Sequence, residues 1–231
     1  MKQRKIDMKV KAIAVTKPMI SDPITGYIVD INEFIAYVAR VSNPSNQNNT
    51  QTANKLLKYL AKHKHWSPFE MANIVMEIET TRDIARQILR HRSFAFQEFS
   101  QRYADPTSDL GFETREARLQ DTKNRQNSIE IAQGTPLTER WEEVQQKVID
   151  AAQEAYTWAS HNNIAKEQAR AVLPEGLTVS RMYMNGTLRS WIHYCQVRMD
   201  PSTQKEHREI AEAAWNEILK IFPALEEITL I

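Results

Sequence analysis

The sequence predicts an α+β fold with a helix-rich C-terminal half. One ten-residue stretch alternates apolar and polar positions as a half-buried strand does, and several longer stretches repeat apolar residues at three- and four-residue steps. No Gly/Ser- or Pro-rich linker divides the 231 residues, so 1–231 reads as one compact domain.

In chain order, Val10 to Lys17 has strand character, and Ile31 to Arg40 places Ile31, Phe34, Ile35 and Val38 at helical spacing. Thr50 to His63 repeats that spacing with Leu56, Leu57 and Leu60. Beyond Pro68, Met71 to Thr80 sets Ala72, Ile74, Met76 and Ile78 on one strand face and Asn73, Val75, Glu77 and Glu79 on the other. The switch from helix to strand leaves His65 to Glu70 on a connection. A helix is expected from about Thr81 to Arg92, with Ile84, Ile88 and Leu89 inward and Arg82, Arg86 and Arg90 at four-residue steps on another face. The polar stretch Asp105 to Gly134 reads as an exposed or mobile loop, or as a cover for a site. Thr135-Pro136 is a good helix start, and Trp141, Val144, Val148, Ala151, Ala155 and Trp158 mark the expected buried stripe of a long helix. A shorter helix, Ala165 to Leu173, stops at Pro174. Residues 178 to 199 suit a core strand, a helix or both in sequence, and Thr203 to Phe222 is an amphipathic helix through Ile210, Ala214, Ile218 and Phe222.

The formal net charge of +1 gives no global attraction to nucleic acid or to an acidic membrane, so any anion site is local. No apolar run approaches the roughly 20 residues of a membrane span, and Met1 to Lys11 lacks the apolar core of a signal peptide, which points to the cytosol. The single cysteine, Cys195, excludes an intramolecular disulfide and a cysteine-rich metal site. The histidines show no convincing ligand pattern, and no metal is expected. With 5 glycines and neither G-x-G-x-x-G nor a phosphate-loop pattern, a nucleotide would have to be held by side chains and helix ends.

Residues 90 to 103, RHRSFAFQEFSQRY, are the most informative run. Arg90, His91, Arg92 and Arg102 lie close together with Glu98 and Ser100 between them. Guanidinium groups hold phosphate through paired N–H donors, so an arginine site suggests oriented recognition of a phosphorylated small molecule. The competing reading is a solvated basic helix end with surface ion pairs. Phe94, Phe96, Phe99 and Tyr103 fit a partly dry wall better.

Arginine, histidine, arginine, seven residues and then serine (Arg90, His91, Arg92 and Ser100) is also the signature of the flavin-dependent thymidylate synthases, the ThyX family. The chain resembles that family over most of its length, from Arg40-Val41-Ser42 through His63 to Glu70 and on to Asn185 to Ser190 and Arg198. The resemblance implies a ThyX-like domain with helices packed on a mixed β-sheet. It implies methyltransfer to dUMP, giving dTMP, with 5,10-methylenetetrahydrofolate as carbon donor, FAD as hydride carrier and NADPH as reductant. By the same resemblance, Gln87, Ile88, Leu89 and Arg90 approach dUMP from one side, and Glu98, Phe99, Ser100, Gln101, Arg102 and Arg170 line its pocket. Ser67, Arg90, His91, Arg92, Thr187, Leu188, Arg189 and His193 contact FAD, and His65 falls in the folate and flavin region. Gln97, where many relatives have asparagine, stays outside the site.

Arg198 matches the arginine that contacts the pyrimidine and promotes ionisation of N3, a task suited to a cation that does not lose its proton. Each site arginine has a plainer alternative: Arg198 beside Asp200 in an ion pair, Arg170 beside Glu167 on a helix. His65 has the plainer reading of a surface histidine. Cys195, set among Trp191, Ile192, Tyr194 and Val197, reads as a buried structural residue, so no enzyme thiolate is expected to attack the pyrimidine. The family is homotetrameric with active sites shared between subunits, although a long amphipathic helix packs equally well within one chain. Two rival functions fit the same residues: a nucleic-acid-binding module using Arg86, Arg90, Arg92 and Arg102, and a dUMP or flavin sensor without turnover.

Overall fold

The computed structural model describes residues 9–21, 26, 27 and 29–226, so most of the charged N-terminal stretch read above lies outside the described residues. A four-stranded sheet forms the centre in the order β1-β2-β6-β3, with β1 Lys9–Val15, β2 Asn73–Thr81, β6 Val179–Thr187 and β3 Ala95–Glu98. The alternation in β2 works as read: Ile74, Met76 and Ile78 are fully buried and face the same core as Met182 and Met184 of β6, with Met76 directly opposite Met184.

The α+β class holds, but the pairing is antiparallel throughout among the described strands, not mixed. β2 and β3 run in the same direction, and β6 is inserted between them and pairs antiparallel with both. Strands linked through a short helix therefore share a sheet without touching, the arrangement of a split β-α-β unit.

Helices α1 (Ile31–Ala39) and α2 (Ala53–Lys62) fall where spacing placed them. α1 starts at a capping box in which Asp30 accepts from the Asn32 and Glu33 amides. The helix expected to reach Arg92 is shorter: α3 spans Arg82–Ile88. The Arg90 and His91 amides turn back to the Gln87 and Ile88 carbonyls, because the chain must leave the helix to enter β3 seven residues later. Arg90, His91 and Arg92 thus sit on a turn, where successive side chains project in different directions.

The polar stretch 105–134 is not a plain loop. It holds a short helix α4 (Pro106–Asp109) and a hairpin of β4 (Arg118–Gln120) and β5 (Ser128–Glu130), turned around Asp121, whose carboxylate accepts from the Lys123 and Asn124 amides. Charge fastens this hairpin to the first turn of α8 (Lys205–Ile221). Glu206 pairs with both Arg115 and Arg118, Arg115 also reaches Asp83 at 2.7 Å, and Lys205 bridges Glu116 and Glu130.

The long helix α5 (Pro136–His161) forms behind its Thr135-Pro136 start, but the expected buried stripe faces outward. Trp141, Val148 and Trp158 are 43%, 45% and 62% exposed, while Gln145, Ile149, Ala152, Tyr156 and Ala159 are buried. The helix carries two apolar faces, and periodicity does not say which one meets its own chain. Small Ala152 and Ala159 allow close approach, and the Gln145 amide accepts from the Arg115 amide at 2.8 Å and donates to its carbonyl at 2.9 Å. After α6 (Lys166–Ala169) and the tight turn Arg170–Val172, residues 178 to 199 resolve as β6 followed by α7 (Leu188–Arg198). Ile210, Ala214, Ile218 and Phe222 of the last helix are buried as expected.

Candidate active site

The signature turn and the C-terminal end of α7 meet at one hydrogen bond: Arg198 Nε–H donates to His91 Nε2 at 2.9 Å. His91 can accept only while neutral, and burial, followed by the charges of Arg198, His193 and Arg90, pushes its imidazole down to about 4. Among the described residues none is hydrogen-bonded to the Arg198 Nη groups, which leaves them to face a ligand. Asp200 is not the partner of Arg198. Its carboxylate accepts from the Ser202 amide and hydroxyl.

His91 is held from behind by aromatic edges, with the Tyr194 ring centroid 4.9 Å away and Phe94 6.5 Å away. Phe94 reaches this position because Gly186 has no side chain. A Cβ there would stand 2.4 Å from Phe94 Cδ1 and 2.5 Å from Cε1. Gly186→Ala is therefore expected to destabilise the fold by about 1–3 kcal/mol, read from the denaturant midpoint. An unchanged midpoint would mean that the ring relocates freely and does not brace His91.

Beside this contact lies a cavity of about 400 Å³ lined by Trp66, Glu70, Ser93, Arg189 and His193 among others. Thr187 caps α7 by accepting from the Ser190 amide at 3.1 Å and donates its hydroxyl to Glu70 at 2.9 Å. Arg189 completes the group by pairing with Glu70, whose carboxyl it holds below the usual carboxylate range. Ser67 opens the tight turn Ser67–Met71 next to the cavity residue Trp66. His65 lies exposed on the other side of Trp66, with ring contacts to Tyr59 and His63.

A second group begins at the last residue of β3. Glu98 accepts from Ser180 at 2.9 Å and pairs with Arg82 at 3.5 Å, and the Phe99 amide donates to the Arg181 carbonyl. The Ser100 hydroxyl oxygen accepts from the Arg102 amide. Gln101 is buried with its Nε2 unpartnered, a donor set within the segment that also carries Arg102. Arg102 reaches Glu167 on α6 at 3.4 Å, and Lys166 donates to the Tyr103 carbonyl. These contacts bring the signature beside the turn that carries Arg170. The plainer pairing of Arg170 with Glu167 does not form; Glu167 turns to Arg102.

The profile described as "Thymidylate synthase complementing protein" matches residues 24–224. A "Probable flavin-dependent thymidylate synthase" of Paramecium bursaria Chlorella virus 1 is 47% identical over 94% of this chain and 97% of its own length. The "Flavin-dependent thymidylate synthase" of Synechocystis sp. is 48% identical over the same shares. The chain belongs to the flavin-dependent thymidylate synthase family. A crystal structure titled as a UMP/dUMP methylase, PolB from Streptomyces cacaoi, superposes with a TM-score of 0.78 at 22% identity, covering 96% of this chain and 94% of that one, and shares its fold.

Within this flavin-dependent thymidylate synthase family member, not every residue carried over from the family can act through its side chain. Ile88 and Leu188 are fully buried in the core, so a ligand contact at either is a backbone contact. Leu89 packs partly against the same core. Arg90 and Arg92 are exposed. Sequence reasoning missed Glu70 as the partner of Thr187 and Arg189, although it ends the quoted His63–Glu70 segment. It also missed Tyr194 and His207, which contact each other at 3.1 Å. The available signal was a histidine on the apolar stripe of the last helix, three residues before Ile210.

Proposed function

We propose that residues 1–231 form one working flavin-dependent thymidylate synthase domain that converts dUMP to dTMP. It takes the one-carbon unit from 5,10-methylenetetrahydrofolate and reducing equivalents from NADPH. The observation that carries this reading is the Arg198–His91 hydrogen bond, which aims a permanently charged guanidinium from the signature turn.

The residues around α7 fit a flavin nucleotide. The cavity beside Arg189 and His193 has one wall at the capped start of an eleven-residue helix, and Arg90 and Arg92 supply exposed cations for a pyrophosphate, with the Glu70-paired Arg189 beside them. Ser67, Arg90, His91, Arg92, Thr187, Arg189, His193 and the Leu188 backbone would hold FAD, which, once reduced by NADPH, would supply the hydride. On the other side of the signature, Ser100, Arg102 and Arg170, with the unpaired Gln101 amide, would take the dUMP phosphate, and Glu98 would accept from a ribose hydroxyl. Gln87 and the Ile88–Arg90 backbone would close the pocket. His65 would border the folate and flavin region.

Arg198 would face the pyrimidine, stabilising the anion left when N3 loses its proton and raising electron density at C5. Cys195 has no part in this scheme. It is fully buried, its thiol donates to the Ala211 carbonyl, and burial pushes the thiol up, so a thiolate attack is not required of it. Homotetramers with shared sites complete the proposal, and the outward apolar face of α5 supports it. No helix among the described residues is long and apolar enough to cross a membrane.

The test is an absorbance spectrum of the FAD-loaded protein, followed anaerobically with NADPH in the presence and absence of dUMP. Flavin bands that bleach faster with dUMP, together with dTMP formed on adding the folate, are the expected result. Folded protein that binds no flavin would sink the proposal.

A further inference from the structure

His207 is fully buried in the first turn of α8, on the stripe otherwise formed by Ile210, Ala211, Ala214 and Ile218. Both of its ring nitrogens are engaged: Nε2 lies 3.1 Å from the Tyr194 hydroxyl and Nδ1 lies 3.3 Å from Gln87 Oε1. Gln87 in turn donates through Nε2 to Gln204 Oε1 at 2.8 Å, and Gln204 donates to the Glu206 carboxylate at 2.9 Å.

These partners dictate the protons. The Glu206 carboxylate only accepts, which fixes the Gln204 amide with its N–H toward Glu206 and its oxygen toward Gln87. Gln87 must then present its own oxygen to His207, so Nδ1 carries the proton and Nε2 accepts from Tyr194. All four bonds run in one direction, from the Tyr194 hydroxyl to a carboxylate clamped by Arg115 and Arg118. Burial pushes the His207 imidazole down to about 3, in keeping with the neutral form the chain requires. Tyr194 lies one helical turn before Arg198 and packs its ring edge-on against His91.

We infer that His207 is a positioning residue for the substrate pocket: it locks Gln87, at the entrance to the signature, and Tyr194, behind His91 and Arg198, into one fixed arrangement. Gln87 would otherwise have several rotamers within reach, and dUMP binding would have to order it each time. The inference rests on the proposed function, through the contact of Gln87 with dUMP.

The test compares Gln87→Ala, His207→Phe, His207→Asn and Gln204→Ala in the FAD-loaded enzyme. It measures flavin content, dUMP affinity by equilibrium dialysis, and kcat and KM. His207→Phe is expected to raise the KM for dUMP about tenfold, with flavin content retained and kcat lowered by no more than about threefold. His207→Asn, whose amide N–H can still reach Gln87, should restore most of that loss, and the Gln87→Ala/His207→Phe double variant should be no worse than Gln87→Ala. Gln204→Ala loosens Gln87 from the other side without touching the core and should raise KM severalfold, which keeps the test decisive if His207→Phe fails to fold. If Gln87→Ala weakens dUMP binding while His207→Asn and Gln204→Ala both leave KM at the wild-type value and His207→Phe lowers only stability, the positioning role is overturned and the pocket reading stands. If Gln87→Ala leaves dUMP affinity unchanged, the pocket reading of Gln87 is wrong and the inference falls with it.

Discussion

Arg198→Ala is expected to lower kcat for dTMP formation by at least about a hundredfold while the purified protein keeps its flavin. Arg198 sits at the far end of α7 from the capped start near which the residues proposed for the flavin gather, and its one described bond goes to His91. Removing it leaves the Glu70, Thr187 and Arg189 contacts intact. The loss should fall on the chemical step, because a charge that stabilises the ionised pyrimidine acts more strongly on the transition state than on the ground state. Arg198→Lys should recover only part of the rate, since an ammonium retains the charge but lacks the planar fork that serves His91 and a ligand together. The checks are flavin absorbance per chain and single-turnover dTMP formation. Flavin lost in parallel with activity would make Arg198 a structural residue.

The second large effect is expected on assembly. Val148→Asp should convert the proposed tetramer of 26.8 kDa chains into smaller species that remain folded, measured by light scattering with circular dichroism as the folding control. Val148 is 45% exposed within its own chain, so the carboxylate costs the isolated fold little. The same residue lies at the middle of an outward apolar row formed with Trp141, Val144 and Trp158. Next to it, the side chains of Leu119, Ile131, Leu137 and Trp141 line a cavity of about 420 Å³ between the hairpin and the helix. From Trp141 to Trp158 the row runs about 26 Å along α5, and an apolar row of that length is more than an unpartnered monomer ordinarily leaves in water. A charge buried at the centre of such an interface would be unpaired and strongly disfavoured. Activity should fall with the mass if sites are shared between subunits. An unchanged mass would move the interface to another surface.

Helix α5 marks the limit of what a one-dimensional apolar pattern carries. Trp141, Val144, Val148 and Trp158 repeat at helical spacing and so predict a buried stripe, yet the chain buries Gln145, Ile149, Ala152, Tyr156 and Ala159 instead. Apolar spacing says which faces gain from leaving water, but it does not say whether that water is displaced by the same chain or by another copy. The hairpin within 105–134 was hidden for a related reason. Its strands are three residues each, and its hold on α8 comes from ion pairs between residues about ninety positions apart, which leave no periodic trace.

What the sequence determined by itself was the local and patterned part: strand β2 from strict alternation, α1, α2 and α8 from apolar spacing, the Thr135-Pro136 start of α5, and family membership from the Arg90-His91-Arg92 and Ser100 signature. These depend on short-range periodicity or on residues at fixed offsets, both visible in one dimension. Tertiary structure alone decided that the sheet is antiparallel with β6 between β2 and β3, that Arg198 turns to His91 and not to Asp200, and that His207 reaches Gln87. Each of these depends on two groups more than eighty residues apart meeting within about 3 Å, or on which strand edge is free to receive a partner. Hydrogen-bond direction and burial are properties of that meeting, and the chain acquires them only when it closes.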